Sequence, residues 1–130
     1  MNATALAADL VRLANQRDLD GAVSLFHPQA ELCFPRFAPR RVYRGATELT
    51  EFFAWVLESL PLQTFAADRI VGTETTAIVE MEIAATSRRG HDVDNVAAMV
   101  VDAEDGVITS VRLYVDTADL GRVLGLDIVA

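Results

Sequence analysis

Asp105–Gly125, DGVITSVRLYVDTADLGRVLG, decides the fold. Asp105-Gly106 predicts a tight turn, because glycine reaches positive φ without a steric cost. The stretch after it, VITSVRLYV, is β-prone and roughly alternating, so it reads as the second strand of a hairpin. Counted by twos, Val107, Val111, Leu113 and Val115 share one apolar face, while Ser110, Arg112 and Tyr114 share the other with Ile108. Asp116 or Thr117 then caps a short helix ending at Gly121 or Gly125. A strand with one wholly apolar face needs a second layer, and helical periodicity lies almost entirely at the other end of the chain.

Working back from this hairpin, Leu62–Gly72, Thr76–Arg88, Asp92–Ala103 and Val107–Asp116 read as successive strands. Turn signals stand between them at Gly72-Thr73, Arg89-Gly90 and Glu104-Asp105-Gly106, which predicts an antiparallel meander. Within it Val96–Val101, VAAMVV, is apolar on both faces. Such a strand has to be covered twice, so the outer sheet face is expected to be buried in a homodimer.

Before Pro61 the period is 3.6. Leu6, Leu10, Leu13 and Ala14 put an apolar stripe on a helix over Thr4–Arg17. Asp18 caps a second helix carrying Leu19, Ala22, Val23 and Phe26, which His27-Pro28 ends because proline restricts its predecessor. Ala30–Phe34 reads as a short strand and Pro35–Val42 as a loop. Gly45 opens a third helix with Glu48 in its first turn; Leu49, Phe52, Phe53, Val56, Leu57 and Leu60 form its buried stripe, and Pro61 closes it. Three helices followed by a meander make an α+β fold, with the helices covering one face of a curved antiparallel sheet.

At 130 residues and 52% hydrophobic composition, the chain is expected to form one domain, 1–130, with its own core. The net charge of −8 repels a phosphate backbone and no basic stripe offsets it, so no nucleic-acid partner is expected. Cys33 is alone, which excludes an internal disulfide and suits a reducing compartment. The N-terminal MNATALAADLVRLA carries Asp9 within its apolar stretch and no basic segment, unlike a secretory signal, and no run of 18 apolar residues spans a membrane. A cytoplasmic protein with no membrane partner is expected.

The order of these features resembles the NTF2-like superfamily, in particular SnoaL-like and ketosteroid-isomerase-like proteins. The matching residues are the corner Asp18-Leu19-Asp20-Gly21-Ala22-Val23-Ser24-Leu25-Phe26, Ala30-Glu31-Leu32 before Pro35, and Tyr43-Arg44-Gly45 before the third helix. Asp105-Gly106, Tyr114, Asp116, Leu120 and Leu124-Gly125 complete the match over nearly the whole chain. The resemblance implies a cone-shaped, cystatin-like α+β barrel around an apolar pocket, dimeric through its sheet. It implies no single activity, since isomerases, cyclases, epoxide hydrolases and binding modules share the fold.

The acids of two such activities have apolar counterparts here. Ketosteroid isomerases use an aspartate, a tyrosine and a second acid where this chain has Phe34, Leu10 and Ala97 or its neighbour. Limonene-epoxide-hydrolase relatives use an Arg and two Asp where it has Met81, Ile83 and Leu113. Proton transfer needs a titratable group at the reacting atom, so both mechanisms are disfavoured.

Polar candidates remain few. Counting back from Val101 puts Met99, Ala97, Asn95, Val93 and His91 on the pocket side. Asn95 either orients a ligand carbonyl or a water, or is a buried amide bonded to backbone; His91 is either a general base or a solvated turn residue. These two are the catalytic candidates. His27 reads as a partner of a helix C-terminal dipole, and Asp116 as an N-cap. Glu80, Glu82 and Asp94 point outward by parity, toward Arg112 or a dimer contact, and Tyr114 is an interface aromatic. Arg36, Arg40, Arg41 and Arg44 either select an anionic ligand at the rim or line a solvated loop. Trp55 stands off the third helix's stripe as a lid, a dimer contact or a partly exposed ring, and Cys33 reads as an inert thiol. Two histidines 64 positions apart give no metal signal, and no cofactor is expected.

The pocket set is therefore Phe34, Phe53, Met81, Ile83, Asn95, Met99, Val111 and Leu113. It predicts a site for a small, largely apolar metabolite, with a cavity of at least about 300 Å³; if the chain is an enzyme, the chemistry is a cofactor-free isomerase, cyclase or dehydratase step by positioning and exclusion of water. The alternative is a non-catalytic ligand-binding or protein-interaction module, its cone filled by its own side chains.

Overall fold

In the computed structural model, which describes residues 1–34, 41–60, 62–86, 90 and 92–116, helix α1 spans Ala3–Asn15. The Asn2 side chain starts it by accepting from the Ala5 N–H at 2.9 Å, and its stripe of Leu6, Leu10 and Leu13 is buried. The helix ends with Arg17 in the left-handed region at φ 58°. There the Arg17 N–H reaches the Ala14 carbonyl at 3.1 Å and the Asp18 N–H reaches Leu13 at 3.0 Å, the paired bonds of a Schellman motif. Asp18 at once caps α2, Leu19–Ser24, its carboxylate accepting from the Gly21 N–H at 2.9 Å.

The second helix stops at Ser24 instead of running to His27-Pro28, and β1 occupies Phe26–Cys33. The cause is long-range: the Ile108 N–H donates to the Leu25 carbonyl at 2.9 Å, and Phe26 pairs with Ile108, so the chain is captured by the sheet. Pro28 falls where the β1 register shifts between Phe26 and Glu31, so its missing N–H breaks no ladder bond. His27 is consequently not at a helix end, and its Nδ1 accepts from the Gln29 N–H at 3.0 Å.

A short strand not expected from the sequence, β2, Val42–Arg44, begins at the last residue of the expected loop and pairs antiparallel with β1. Helix α3 follows over Gly45–Ser59, with Leu49 and Phe52 buried, and Leu60 buried just past its end. The meander is then β3 Leu62–Gly72, β4 Thr76–Thr86, β5 Asp92–Glu104 and β6 Val107–Val115. The expected helix after Asp116, the closing Pro61 and the Arg88-Arg89 turn fall outside the described residues.

The strands form one curved sheet in the order β2-β1-β6-β5-β4-β3. The meander is antiparallel as expected, while β1 runs parallel to β6 and carries the first half of the chain onto the sheet. Asp105 at φ 51° and Gly106 at φ 79° make the β5–β6 turn, the two left-handed residues of a type I′ hairpin. Thr109 is then an extra residue: Asp102 faces Ser110 but Ala103 faces Ile108. That bulge reverses the parity assigned to Ile108, which lies fully buried on the core face with Val111 instead of on the outer face.

Helix α1 lies across β3 to β6, and α3 packs on α2, β1 and β2. Asn15 ties the first helix to the edge strand: its amide nitrogen donates to the Phe65 carbonyl at 2.8 Å, and its oxygen accepts from the Phe65 N–H at 2.7 Å. One side chain thus does for β3 what a neighbouring strand would do. Asn15→Ala is expected to lower stability by about 1–2 kcal/mol, measured by urea unfolding, since both backbone groups lose a partner.

On the outer face Arg112 donates to Asp102 at 2.8 Å and to Ser110 at 3.2 Å, while Thr76 donates to Asp102 at 2.9 Å. Arg112 is thus paired with Asp102, not with Glu80, Glu82 or Asp94, which are exposed. The Arg112 hydrogen bond, assisted by Thr76, holds the Asp102 carboxyl below the usual carboxylate range. A lowered folded-state pKa contributes stability that is complete above about pH 4 and is lost as pH falls further. Arg112→Met is therefore expected to flatten the fall in stability below pH 4, read from melting temperatures over an acid series.

Candidate functional site: an apolar cavity under the helices

The concave face of the sheet, covered by α1, α2 and α3, leaves a cavity of about 100 Å³. Phe34, Phe53, Met81 and Ile83 are in its wall, and so are Met99, Val111 and Leu113. The strand periodicity brings them together: Ile83 and Met81 stand two apart on β4, Met81 faces Ala97, and Val101 faces Val111 beneath the turn of β5 and β6. Its volume falls short of the roughly 300 Å³ expected for a metabolite-sized site. The aromatic residues are the reason. Phe52 lies 5.1 Å from Phe34, 4.9 Å from Tyr43 and 5.4 Å from Phe53, centroid to centroid, and fills the space between α3 and β1.

Trp55 packs its ring edge-on against Phe34 at 6.1 Å and joins the wall, half-buried, so it closes the cavity on the α3 side. The Phe34 N–H donates to the Arg41 carbonyl at 2.9 Å, fixing the residue that follows β1.

Asn95 is 5% exposed, on the inward face as the count by twos expects. It is not part of the cavity wall. Its amide nitrogen donates to the Asp116 carbonyl at 3.3 Å, and its oxygen has no hydrogen-bond partner. The side chain therefore ties β5 to the end of β6. His91, Arg36 and Arg40 lie outside the described residues. Arg41 is exposed, and Arg44 is engaged with Glu31 on the neighbouring strand, its Nε donating at 3.1 Å, so an anion would have to displace that carboxylate. Cys33 is half-buried with its thiol free of any disulfide. Asp116 and Tyr114 are exposed at the end of β6.

The wall contains two features that the sequence reading passed over. Arg17 sits at the rim and donates through Nη2 to the Leu57 carbonyl at 2.7 Å and through Nη1 to Leu60 at 3.4 Å. A cation at the open carbonyls of α3 is favourable there, and it locks the end of α1 to the end of α3. Gln63 is the second: it lines the cavity at 8% exposure, with neither amide atom hydrogen-bonded. Its signal was available, because Gln63 stands two residues before Phe65 and so shares its face of β3.

Chemically, the cavity offers a mainly apolar surface with one neutral amide, Gln63, one hydroxyl, Ser59, and the indole of Trp55. Leu10, Phe34, Met81, Ile83 and Leu113, the counterparts of acids and donors in the two enzyme types considered, all line it as hydrocarbon, thioether or ring. Among the described residues no three His, Cys, Asp or Glu side chains gather to hold a metal ion, and no helix is long and apolar enough to cross a membrane.

A family model described as a SnoaL-like domain matches residues 7–111. Among curated proteins no sequence match is found. Solved structures match closely in fold. An NTF2-like protein from Burkholderia pseudomallei K96243 is 18% identical with a TM-score of 0.86, covering 95% of this chain and 98% of its own. TerC, co-crystallised with polyporic acid, is 20% identical with a TM-score of 0.82, over 92% of this chain and 95% of its own. SalBIII, an epoxide hydrolase/cyclase-like enzyme in pyran ring formation in the polyether salinomycin, is 20% identical with a TM-score of 0.76, over 88% and 90%.

Proposed function

Because the chain belongs to the SnoaL-like domain family, whose fold encloses a pocket, we propose that it binds one small, uncharged, largely apolar molecule in the cavity between α3 and the sheet. The observation that carries this reading is the wall itself: it is continuous hydrocarbon and aromatic surface, and its charged residues, Arg17 and Asp18, are engaged at the rim. An apolar cavity of this kind stays dry and takes an apolar guest. At about 100 Å³ it is smaller than the roughly 150 Å³ that admits benzene, so one small ring fills it after a slight shift of half-buried Phe53 or Trp55. A polyketide-sized molecule would need a larger movement of α3.

Binding without acid–base catalysis is favoured over an enzymatic role, because the wall's one carboxylate among the described residues, Asp18, is spent capping α2 on the Gly21 N–H. A cyclase-type reaction driven by positioning and exclusion of water is the second reading, supported by the likeness in fold to SalBIII. Calorimetric titration with toluene tests the first. One toluene is expected to bind per chain, and Leu113→Phe, which fills the cavity from β6, is expected to weaken it at least tenfold while circular dichroism stays unchanged. Binding left intact in that variant would place toluene elsewhere.

The outer sheet face supports a homodimer. Val96 is 66% exposed and Tyr114 56% exposed, with Ile78 and Val71 also open on the meander. A patch of that kind is the sort that a partner covers. Sedimentation is expected to give a dimer for the natural chain and a monomer for Val96→Arg.

A further inference from the structure

The geometry points to Gln63 as the recognition group of the cavity, and to a ligand that carries an uncharged hydrogen-bond donor beside an acceptor. This rests on the pocket reading above and names the chemistry of its guest.

Gln63 is more than nine-tenths buried and stands in the wall with both Nε2 and Oε1 left without partners. Burying an amide without hydrogen bonds is unfavourable, and proteins seldom leave such a group unpaired. The larger polar side chains at the ends of α1 and α3 are already committed. Asn15 spends both amide atoms on the Phe65 backbone, and Arg17 spends its guanidinium on Leu57 and Leu60. Gln63 pairs in register with Ala85, whose methyl group offers nothing.

An amide edge presents one acceptor and one donor side by side. Its complement is another such edge: a lactam, a primary amide or a protonated carboxylic acid. A carboxylate or an ammonium fits poorly, because its charge would be buried among Met81, Ile83 and Phe65 while the charged wall residues Arg17 and Asp18 are held by the α3 carbonyls and the α2 cap. The aromatic wall of Phe34, Phe53 and Trp55 suits a flat ring behind that edge.

The test uses three probes of similar shape: 2-pyridone, which has the donor–acceptor edge, N-methyl-2-pyridone, which has lost the donor, and toluene, which has neither. Each is titrated calorimetrically into the natural chain, Gln63→Leu and Gln63→Met, the second variant guarding against a local repacking effect. The natural chain is expected to prefer 2-pyridone to N-methyl-2-pyridone by about tenfold, the worth of one well-made hydrogen bond. In both variants that preference is expected to vanish, and the affinity for 2-pyridone relative to toluene to fall about tenfold or more. Toluene binding with no pyridone preference, or a preference that survives in both variants, overturns the role of Gln63 and leaves the pocket standing. Failure of all three probes to bind the natural chain overturns the pocket as well.

Discussion

Phe52→Ala is expected to cost about 3–5 kcal/mol of unfolding free energy, the range for removing a fully buried aromatic ring. Phe52 is 2% exposed and touches the rings of Phe34, Tyr43, Phe53 and Trp55, so it joins α3 to β1 and β2 at one point. The lost contacts include several tilted and edge-on ring pairs, each worth more than its buried area alone. Phe53→Ala, from a half-buried ring on the cavity wall, is expected to cost clearly less. Urea unfolding of both variants checks the order. A loss under about 1 kcal/mol for Phe52→Ala would mean that α3 is held by other contacts.

Gln63→Leu is expected to act in the opposite direction and raise stability by about 1–3 kcal/mol. Most substitutions destabilise, so a gain of this size from one buried position is diagnostic. The natural side chain buries two polar atoms with no partner, whereas leucine, one atom shorter but branched and of similar bulk, presents only methyl groups to the wall. Thermal melts of the ligand-free proteins read the difference directly. A lowered melting temperature would show that Gln63 is satisfied in the free protein, and its place as an open recognition group would fall with it.

Local signals made much of this fold legible. Gly72-Thr73 and Asp105-Gly106 marked turns, and the strand read over Leu62–Gly72 coincides with β3. The helix opened at Gly45 because the apolar spacing from Leu49 onward has a period of 3.6. What escaped depended on contacts between distant segments. No periodicity announces that Leu25 and Phe26 will be drawn onto β6, or that Val42–Arg44 will find β1 as a partner. A single bulge at Thr109 was enough to turn Ile108 inward.

The site was legible in outline. Counting by twos assembled Met81, Ile83, Met99, Val111 and Leu113 around one space, because backbone pleating is a strict local rule. The same count put Asn95 inward correctly but could not say where the cavity ends along β5. Nor could it foresee how far Phe52 and Trp55 would narrow the space, since ring placement follows from the packing of α3 on β1. Gln63 was readable by parity with Phe65, yet a glutamine in a strand draws attention only once its lack of partners is known.

The most direct test of the account uses the three methionines as reporters. Met81 and Met99 line the cavity, whereas Met1 is 63% exposed and away from it. Toluene is titrated into protein carrying isotope-labelled methionine methyl groups while their magnetic resonance signals are followed. The ring current of a bound guest is expected to shift the Met81 and Met99 methyls together, saturating at one ligand per chain, and to leave Met1 in place. Methyl signals of Met81 and Met99 that stay fixed at saturating toluene would contradict a ligand cavity in this fold.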